Sequence, residues 1–479
     1  MNKHIKSLAF LALTLALASG CASSSSQFDY ASVAGIYDLE SAYLDEYDIT
    51  SDYSLYQITL RDDQTMNVFV SQLGQITNRD GTYTIVGSTL TETSNSQTYV
   101  YAYDFEDSKI TYAADEFGQD LVITLIKRIV IDGPVPVEFE SVLFGEDIDA
   151  TKKFNYAPTV IREMEDGKDV IHIWYCTNKT TAIIMDHIAY RRGEKQDDGK
   201  WIFSDELIVI APTIDTWDGR HACDPSVIKG RFVWESEVYN YMMAYLGCVT
   251  DDYSNNETGL AVAKAPEGPW IKLDHLNPIV PWSRDNVSGT WGNGMPSLLS
   301  VDRQGVVLLY YMNASIGVSV EKWDFSNLDD PTQIYRSRLI NNGLKRPNNT
   351  QNYISYVEIA YDEALGRLYV LSGGGVKDPP DGTRTLVNSH FALAYIDGMD
   401  DFDDIDAAML GMNYTWTMVG FGGPDETGWP RNHNSALVTD SYGRIIDSDE
   451  IWVVTSTGLN TYPFDNIYTY RLRGYIFHL

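Results

Sequence analysis

The sequence predicts an all-β chain, a small antiparallel β-barrel followed by a five-bladed β-propeller. Three observations predict it. Short runs alternate polar and apolar residues with a period of two; no helical period of comparable length appears; and beyond residue 135 one strand–turn–strand shape recurs five times. Composition sets the outer bounds. Of 479 residues, 44% are hydrophobic and 21% charged, which is globular and excludes a wholly disordered chain. Aromatics reach 12%, with 32 Tyr and 11 Trp, which suits a β-rich exported protein that stacks on flat ligands. Lys+Arg 35 against Asp+Glu 67 gives a net charge of −32. Such a chain repels nucleic-acid phosphates and anionic headgroups, so nucleic acid is excluded as a partner and a strongly anionic polymer is disfavoured.

The chain opens on an export signal. Lys3, His4 and Lys6 precede an apolar run over residues 8–18 that is too short to span a bilayer. Leu17-Ala18-Ser19-Gly20-Cys21 is similar to a bacterial lipoprotein cleavage site, with Ala18 where Leu is usual and Leu17 one position further out. The expectation is a signal peptide over residues 1–21, a lipid on Cys21 and a serine tether over residues 22–26. This places a monomer on the outer membrane or cell surface, or on the periplasmic side, touching membrane only through its lipid anchor. Ordinary secretory cleavage is the alternative.

Residues 27–132 form the expected accessory barrel. Tyr56-Gln57-Ile58-Thr59-Leu60, Met66-Asn67-Val68-Phe69-Val70 and Leu121-Val122-Ile123-Thr124-Leu125 alternate cleanly between Gly, Asn and Asp turns. The opening Gly35-Ile36-Tyr37 and the closing Thr124-Leu125-Ile126-Lys127-Arg128 make the segment resemble a lipocalin-like barrel. Asp132-Gly133-Pro134 then reads as a linker.

The repeats begin next, over residues 135–479. Their leading strands start at Tyr156-Ala157-Pro158, Cys223-Asp224-Pro225, Gly294-Met295-Pro296, Tyr356-Val357-Glu358 and His433-Asn434-Ser435. Each is followed by a Gly/Asp turn and an apolar, Tyr-rich strand. The final strands, to Phe477, are expected to join a strand at residues 137–144 and close the ring. In a propeller the first strand of each blade lines the axis, so these five heads converge on one sugar-sized funnel. Two carboxylates, Asp224 and Glu358, meet there with His433. That pair is what glycoside hydrolysis needs, one acid for the leaving oxygen and one base or nucleophile, and burial would raise a pKa to make the acid. Trp217, Trp291 and Trp429 in pre-strand loops, with Tyr156, could stack on a sugar. Arg220, Arg346, Arg431 and Asn434 could bind its hydroxyls or a carboxylate.

Asp224-Pro225-Ser226-Val227-Ile228, the later Glu267-Gly268-Pro269-Trp270, and Asn432-His433-Asn434-Ser435 resemble glycoside hydrolase family 43 and its five-bladed relatives, over residues 135–479. The resemblance implies a polysaccharide or oligosaccharide substrate of plant or algal origin, a general acid at Glu358, and a calcium ion or water held near His433 on the axis. Two family aspartates are replaced: the base position reads Ala157 and the position on the third blade reads Met295. Asp224 as base is therefore a rearrangement specific to this chain. The departures leave open a non-catalytic glycan-binding lipoprotein. A propeller polysaccharide lyase working through Tyr156, His221, His433 and Arg431 is the third reading.

Beyond Cys21 three cysteines remain, an odd number, so at most one internal bridge can form. Cys223 and Cys248 lie at the two ends of one strand pair and could meet, or all three could be buried thiols. His221, Cys223 and Cys248 form only a weak zinc pattern, having no second close pair.

Overall fold

The computed structural model describes residues 30–72, 75–116, 119–127, 134–137, 154–178, 185–250, 254–346, 351–373, 388–459 and 470–479. The signal segment, Cys21, the serine tether and Asp132-Gly133 lie outside them. No helix among the described residues is long and apolar enough to cross a membrane. The chain divides into two compact units, Met1–Arg128 and Ile129–Leu479.

The first unit is a closed barrel. Eight strands, Gly35–Leu44, Tyr53–Leu60, Thr65–Gln72, Gln75–Val86, Thr89–Ser94, Gln97–Asp104, Lys109–Glu116 and Gln119–Lys127, pair antiparallel in chain order. The last returns to the first, with Leu39 opposite Leu125 and Tyr43 opposite Val122, so no long edge is left unpaired. The period-two pattern fills the interior: Tyr37, Ile58, Val68, Leu90, Ile110 and Leu125 are all buried. One charged pair is buried with them. Arg79 Nε lies 3.0 Å from Glu92, Ser94 Oγ donates to Glu92 at 2.7 Å, and the Tyr101 hydroxyl donates as well. Burial alone would raise the Glu92 pKa, but these hydrogen bonds win and hold it below the usual carboxylate range.

The second unit is a five-bladed propeller. The innermost strands are Asn155–Glu165, His221–Trp234, Asn293–Ser300, Glu358–Asp362 and Arg431–Thr439, and they touch one another in cyclic order. Each leads an antiparallel blade of four strands, the first of which splits its outer strand into Trp201–Phe203 and Leu207–Ile210. The fifth blade takes its outermost strand from the start of the unit: Val135 pairs with Ile476 and Val137 with Gly474. Ring closure by an early strand follows the sequence expectation, beginning two residues earlier; residues 138–144 lie outside the described set. The hydrophobic core consists of layers between blades. Ile161 and Trp174 meet Met243 and Tyr245; Ile228 and Leu260 meet Leu298 and Leu309; Leu308 and Tyr310 meet Ile359 and Val370. Tyr369 and Leu371 meet Leu437 and Val453, and Val438 and Leu472 meet Val160 and Ile173. Five such layers close the circle, which is why the strands read as apolar on both faces.

The cysteines pair differently from the sequence reading. Cys176 of the first blade is bridged to Cys223 of the second, with Cα atoms 5.1 Å apart. Cys248 sits opposite His221 in the ladder, while Cys223 sits opposite Leu246, so Cys248 is a buried free thiol. With Cys223 bridged, the His221–Cys223–Cys248 zinc pattern is removed.

Candidate functional site

At one end of the axis the heads of all five inner strands line a single hollow. It holds Ala157, Asp224, Met295, Tyr356, Glu358 and Asn434, with the prolines or serine that follow. Local backbone explains the convergence. Ala157, Asp224, Met295 and Asn434 each adopt a left-handed conformation, with φ of 47°, 44°, 48° and 43°. Each falls inside a bulge of its own ladder, between Tyr156/Thr159, Cys223/Ser226, Gly294/Ser297 and His433/Ala436. The bulge re-aims one side chain per blade towards the axis. Left-handed backbone costs a residue with a Cβ roughly 1–2 kcal/mol, least for Asn and Asp. Four repetitions of the same costly conformation mark these positions as equivalent. The fourth blade departs: its inner strand begins directly at Glu358, and the carboxyl enters the hollow without a left-handed residue.

Asp224 and Glu358 are the two carboxyls of the hollow. Asp224 is 9% exposed and accepts a hydrogen bond from Asn434 Nδ2 at 3.2 Å. Its backbone N–H points at Cys176 Sγ, 2.9 Å away, so the inter-blade disulfide holds the strand where the carboxyl emerges. Burial, and then the negative charge of Asp186, push its pKa up to about 7 against the pull of Asn434. Burial likewise pushes Glu358 up to about 8, opposed by a hydrogen bond from Ser297. Ser297 also accepts the Ile359 N–H at 3.0 Å, which fixes the strand next to the carboxyl.

The hollow is smaller than the sugar-sized funnel the sequence leads one to expect. It measures ≈ 30 Å³, room for about one water.

The other sequence candidates divide. Tyr156 and Trp291 belong at the rim, both packed on the patch made by Ala157, Leu246 and the disulfide cysteines. The Tyr156 hydroxyl lies 3.1 Å from Cys223 Sγ. Asn434 reaches the hollow, with its amide nitrogen committed to Asp224 and its Oδ1 buried without a partner among the described residues. Trp217 does not reach it. Its indole lies over Tyr245 at 5.2 Å and covers Gly247 and Gly259, where a Cβ would come within 2.3 and 2.2 Å of the ring. Trp429 is covered by the Arg473 guanidinium, 4.1 Å above the ring. Arg431 is buried at 3% exposure, and the Arg220 backbone N–H donates to the Cys248 carbonyl at 2.9 Å. Arg346 has a buried Nε with no partner among the described residues and is not part of the hollow.

His433 is one residue from Asn434 but is not among the residues that line the hollow. Its ring meets Tyr356 edge-on at 5.9 Å and Tyr470 at 6.4 Å. His221 is elsewhere again: its Nδ1 pairs with Asp186 Oδ2 at 2.9 Å, both side chains buried. Asp186 was not legible in the sequence. It sits at the head of the third strand of the first blade, opposite Asn178, and only the fold brings it near Asp224.

No protein-family model matches this chain, and no curated protein does. Among solved structures, the propeller is similar to a family 117 glycoside hydrolase from the marine bacterium Zobellia galactanivorans, at 13% identity and TM-score 0.44, over 72% of this chain and 89% of the other. An α-L-arabinofuranosidase from Podospora anserina, solved with cellotriose, has 9% identity and TM-score 0.45, over 72% and 96%. The Bacillus subtilis arabinanase has 16% identity and TM-score 0.39, over 68% and 95%. Likenesses this distant carry no argument about the chemistry of this chain.

Proposed function

We propose that the propeller is a glycoside hydrolase acting on a plant or algal polysaccharide or oligosaccharide, with Glu358 as the general acid and Asp224 as the base or nucleophile. One observation carries the reading: two carboxyls with raised pKa values, on blades far apart in sequence, share one axial hollow. A sugar would rest in the mouth against Trp291 and Tyr156, with its glycosidic oxygen and C1 directed at the carboxyls. Glu358, protonated at neutral pH, donates its proton to the leaving oxygen. Asp224, held by Asn434, loses its proton at lower pH than Glu358 and either activates water or attacks carbon. The reactive pair is thus Asp224 ionised and Glu358 protonated, a state favoured between about 7 and about 8. Export and attachment through a lipid on Cys21 belong to the same proposal, since an extracellular polymer requires the site outside the cell.

The test is a digest of arabinan, xylan, galactan and algal polymers by the intact protein and by Glu358→Gln. Release of new reducing ends that falls by at least ~10³-fold in the variant supports the assignment; undiminished hydrolysis by the variant refutes it.

Ala157 and Met295 favour a second reading. They occupy axial positions equivalent to Asp224 and carry nothing that can ionise. A propeller that binds glycan without cleaving it would show saturable binding to one of these polymers and no product.

A further inference from the structure

At the opposite end of the first blade, away from the axial hollow, a different set of groups converges. Glu163 and Glu165 project from one face of the inner strand, and His172 from the same face of its neighbour, where it lies opposite Ile161. His172 Nε2 is 2.9 Å from Glu165 Oε1 and 3.5 Å from Glu163 Oε1, and all three atoms lie within 4.8 Å of one another. The His172 side chain is 2% exposed and held on both sides. Its Nδ1 is 2.7 Å from the Tyr190 hydroxyl, and its ring lies nearly parallel to that of Tyr190, 14° between the planes. Beside it opens a hollow of ≈ 530 Å³, lined among others by Glu165, Arg192, Pro266 and Glu267.

We propose that Glu163, Glu165 and His172 form a zinc site with three protein ligands, closed by a water. Zinc binds His nitrogen and carboxylate oxygen at about 2.0–2.1 Å, and a tetrahedron with those arms separates its ligand atoms by about 3.3 Å. The two measured His–Glu separations, 2.9 and 3.5 Å, straddle that value, and the two carboxylate oxygens lie within 4.8 Å of each other, so the site closes around an ion by drawing the glutamates together. The histidine is prepared for it. A ligating imidazole donates a hydrogen bond from its other N–H to an oxygen acceptor, and the Tyr190 hydroxyl stands 2.7 Å from Nδ1 to accept it. Charge is suitable too. Glu165 shares its second oxygen with Arg192 at 2.7 Å, leaving Oε1 for the ion, and Lys229 faces Glu163. Arg192 also bonds Glu194, which Lys168 bonds in turn; with Glu267 at the edge, four carboxylates face three cations, a net single negative charge before the metal enters. The nitrogen-and-oxygen donor set suits zinc better than calcium or magnesium, which prefer all-oxygen cages. The ion would pin two strands of the first blade at the seam where it packs on the second.

The experiment is isothermal titration of the chelator-treated full chain with zinc chloride in excess magnesium, which occupies the acidic surface. The expected result is one equivalent bound with a dissociation constant in the micromolar range or tighter. His172→Ala should remove that binding, and Glu163→Gln should weaken it at least ~10-fold. Because His172 is buried and its variant risks misfolding, Glu163→Gln, at a half-exposed side chain, decides alone if necessary. Cobalt(II) in place of zinc should give the visible bands of a tetrahedral ion, weakened ~10-fold in occupancy by Tyr190→Phe. Absence of saturable zinc binding, or binding unchanged in Glu163→Gln, overturns the proposal. Neither result bears on glycoside hydrolysis, which uses other residues.

Discussion

Asp224→Asn should make this protein more stable in alkali. The reasoning starts from a buried acid with no cation against it. Carrying its pKa from 3.8 to about 7 means the folded state binds that proton more tightly than the unfolded chain does. Between those values the folded state holds more protons, so stability falls as pH rises, and above about 7 the whole penalty is in force. At 1.36 kcal/mol per tenfold change, it amounts to about 4 kcal/mol. Asparagine keeps the shape and still accepts from Asn434, but it never ionises. The variant and the parent should therefore agree within ~1 kcal/mol at pH 4, and the variant should gain as pH rises. With unfolding entropy of about 2 cal/mol/K per residue, a unit of this length changes by roughly 0.7 kcal/mol per degree, so the gain at pH 9 is about 3–6 °C in Tm. Differential scanning calorimetry of both proteins at pH 4, 7 and 9 measures it. A Tm difference that does not grow with pH, or that favours the parent in alkali, would show that Asp224 is not buried as an unpaired acid.

Other outcomes follow from the same geometry. Hydrolysis, plotted as kcat/KM against pH on a responsive polymer, should be a narrow bell between about 7 and about 8, because Asp224 must be ionised while Glu358 keeps its proton; a plateau extending to pH 5 would contradict it. Reducing the Cys176–Cys223 bridge frees a loop with a sequence separation of 47, worth up to about 4 kcal/mol by the chain-entropy account, so dithiothreitol should lower the propeller's Tm while a Cys248→Ser variant responds equally. In the barrel, Arg79→Leu should cost about 3–5 kcal/mol by leaving Glu92 buried without its cation; adding Glu92→Leu should recover much of that loss in urea unfolding.

The rim residues show how a correct repeat can still mislead about side chains. Trp217, Trp291 and Trp429 all precede inner strands, and the sequence treats them alike. Only Trp291 packs at the rim, because Gly247 and Gly259 open a slot that draws Trp217 onto the blade and Arg473 rises to cover Trp429. Nothing local in a pre-strand loop records which glycines lie opposite on another strand. The cysteines make the same point. Cys223 and Cys248 end neighbouring strands, but the ladder pairs Cys248 with His221, two residues before Cys223, and Cys223 is bridged to the first blade.

By itself the amino-acid order determined that this is a β protein, where its blades begin, and that Asp224 and Glu358 stand at two of those beginnings. Period-two hydrophobicity and recurring turn chemistry are local properties, and local forces suffice to express them. Which groups face each other was decided only by the closed ring. The left-handed bulges aimed Asp224 and Asn434 at one another, the seam between the first two blades brought Asp186 near Asp224, and the packing at the axis left a water-sized hollow. Distances between residues far apart in the chain are set by the sum of all the packing between them, and no short stretch of sequence contains that sum.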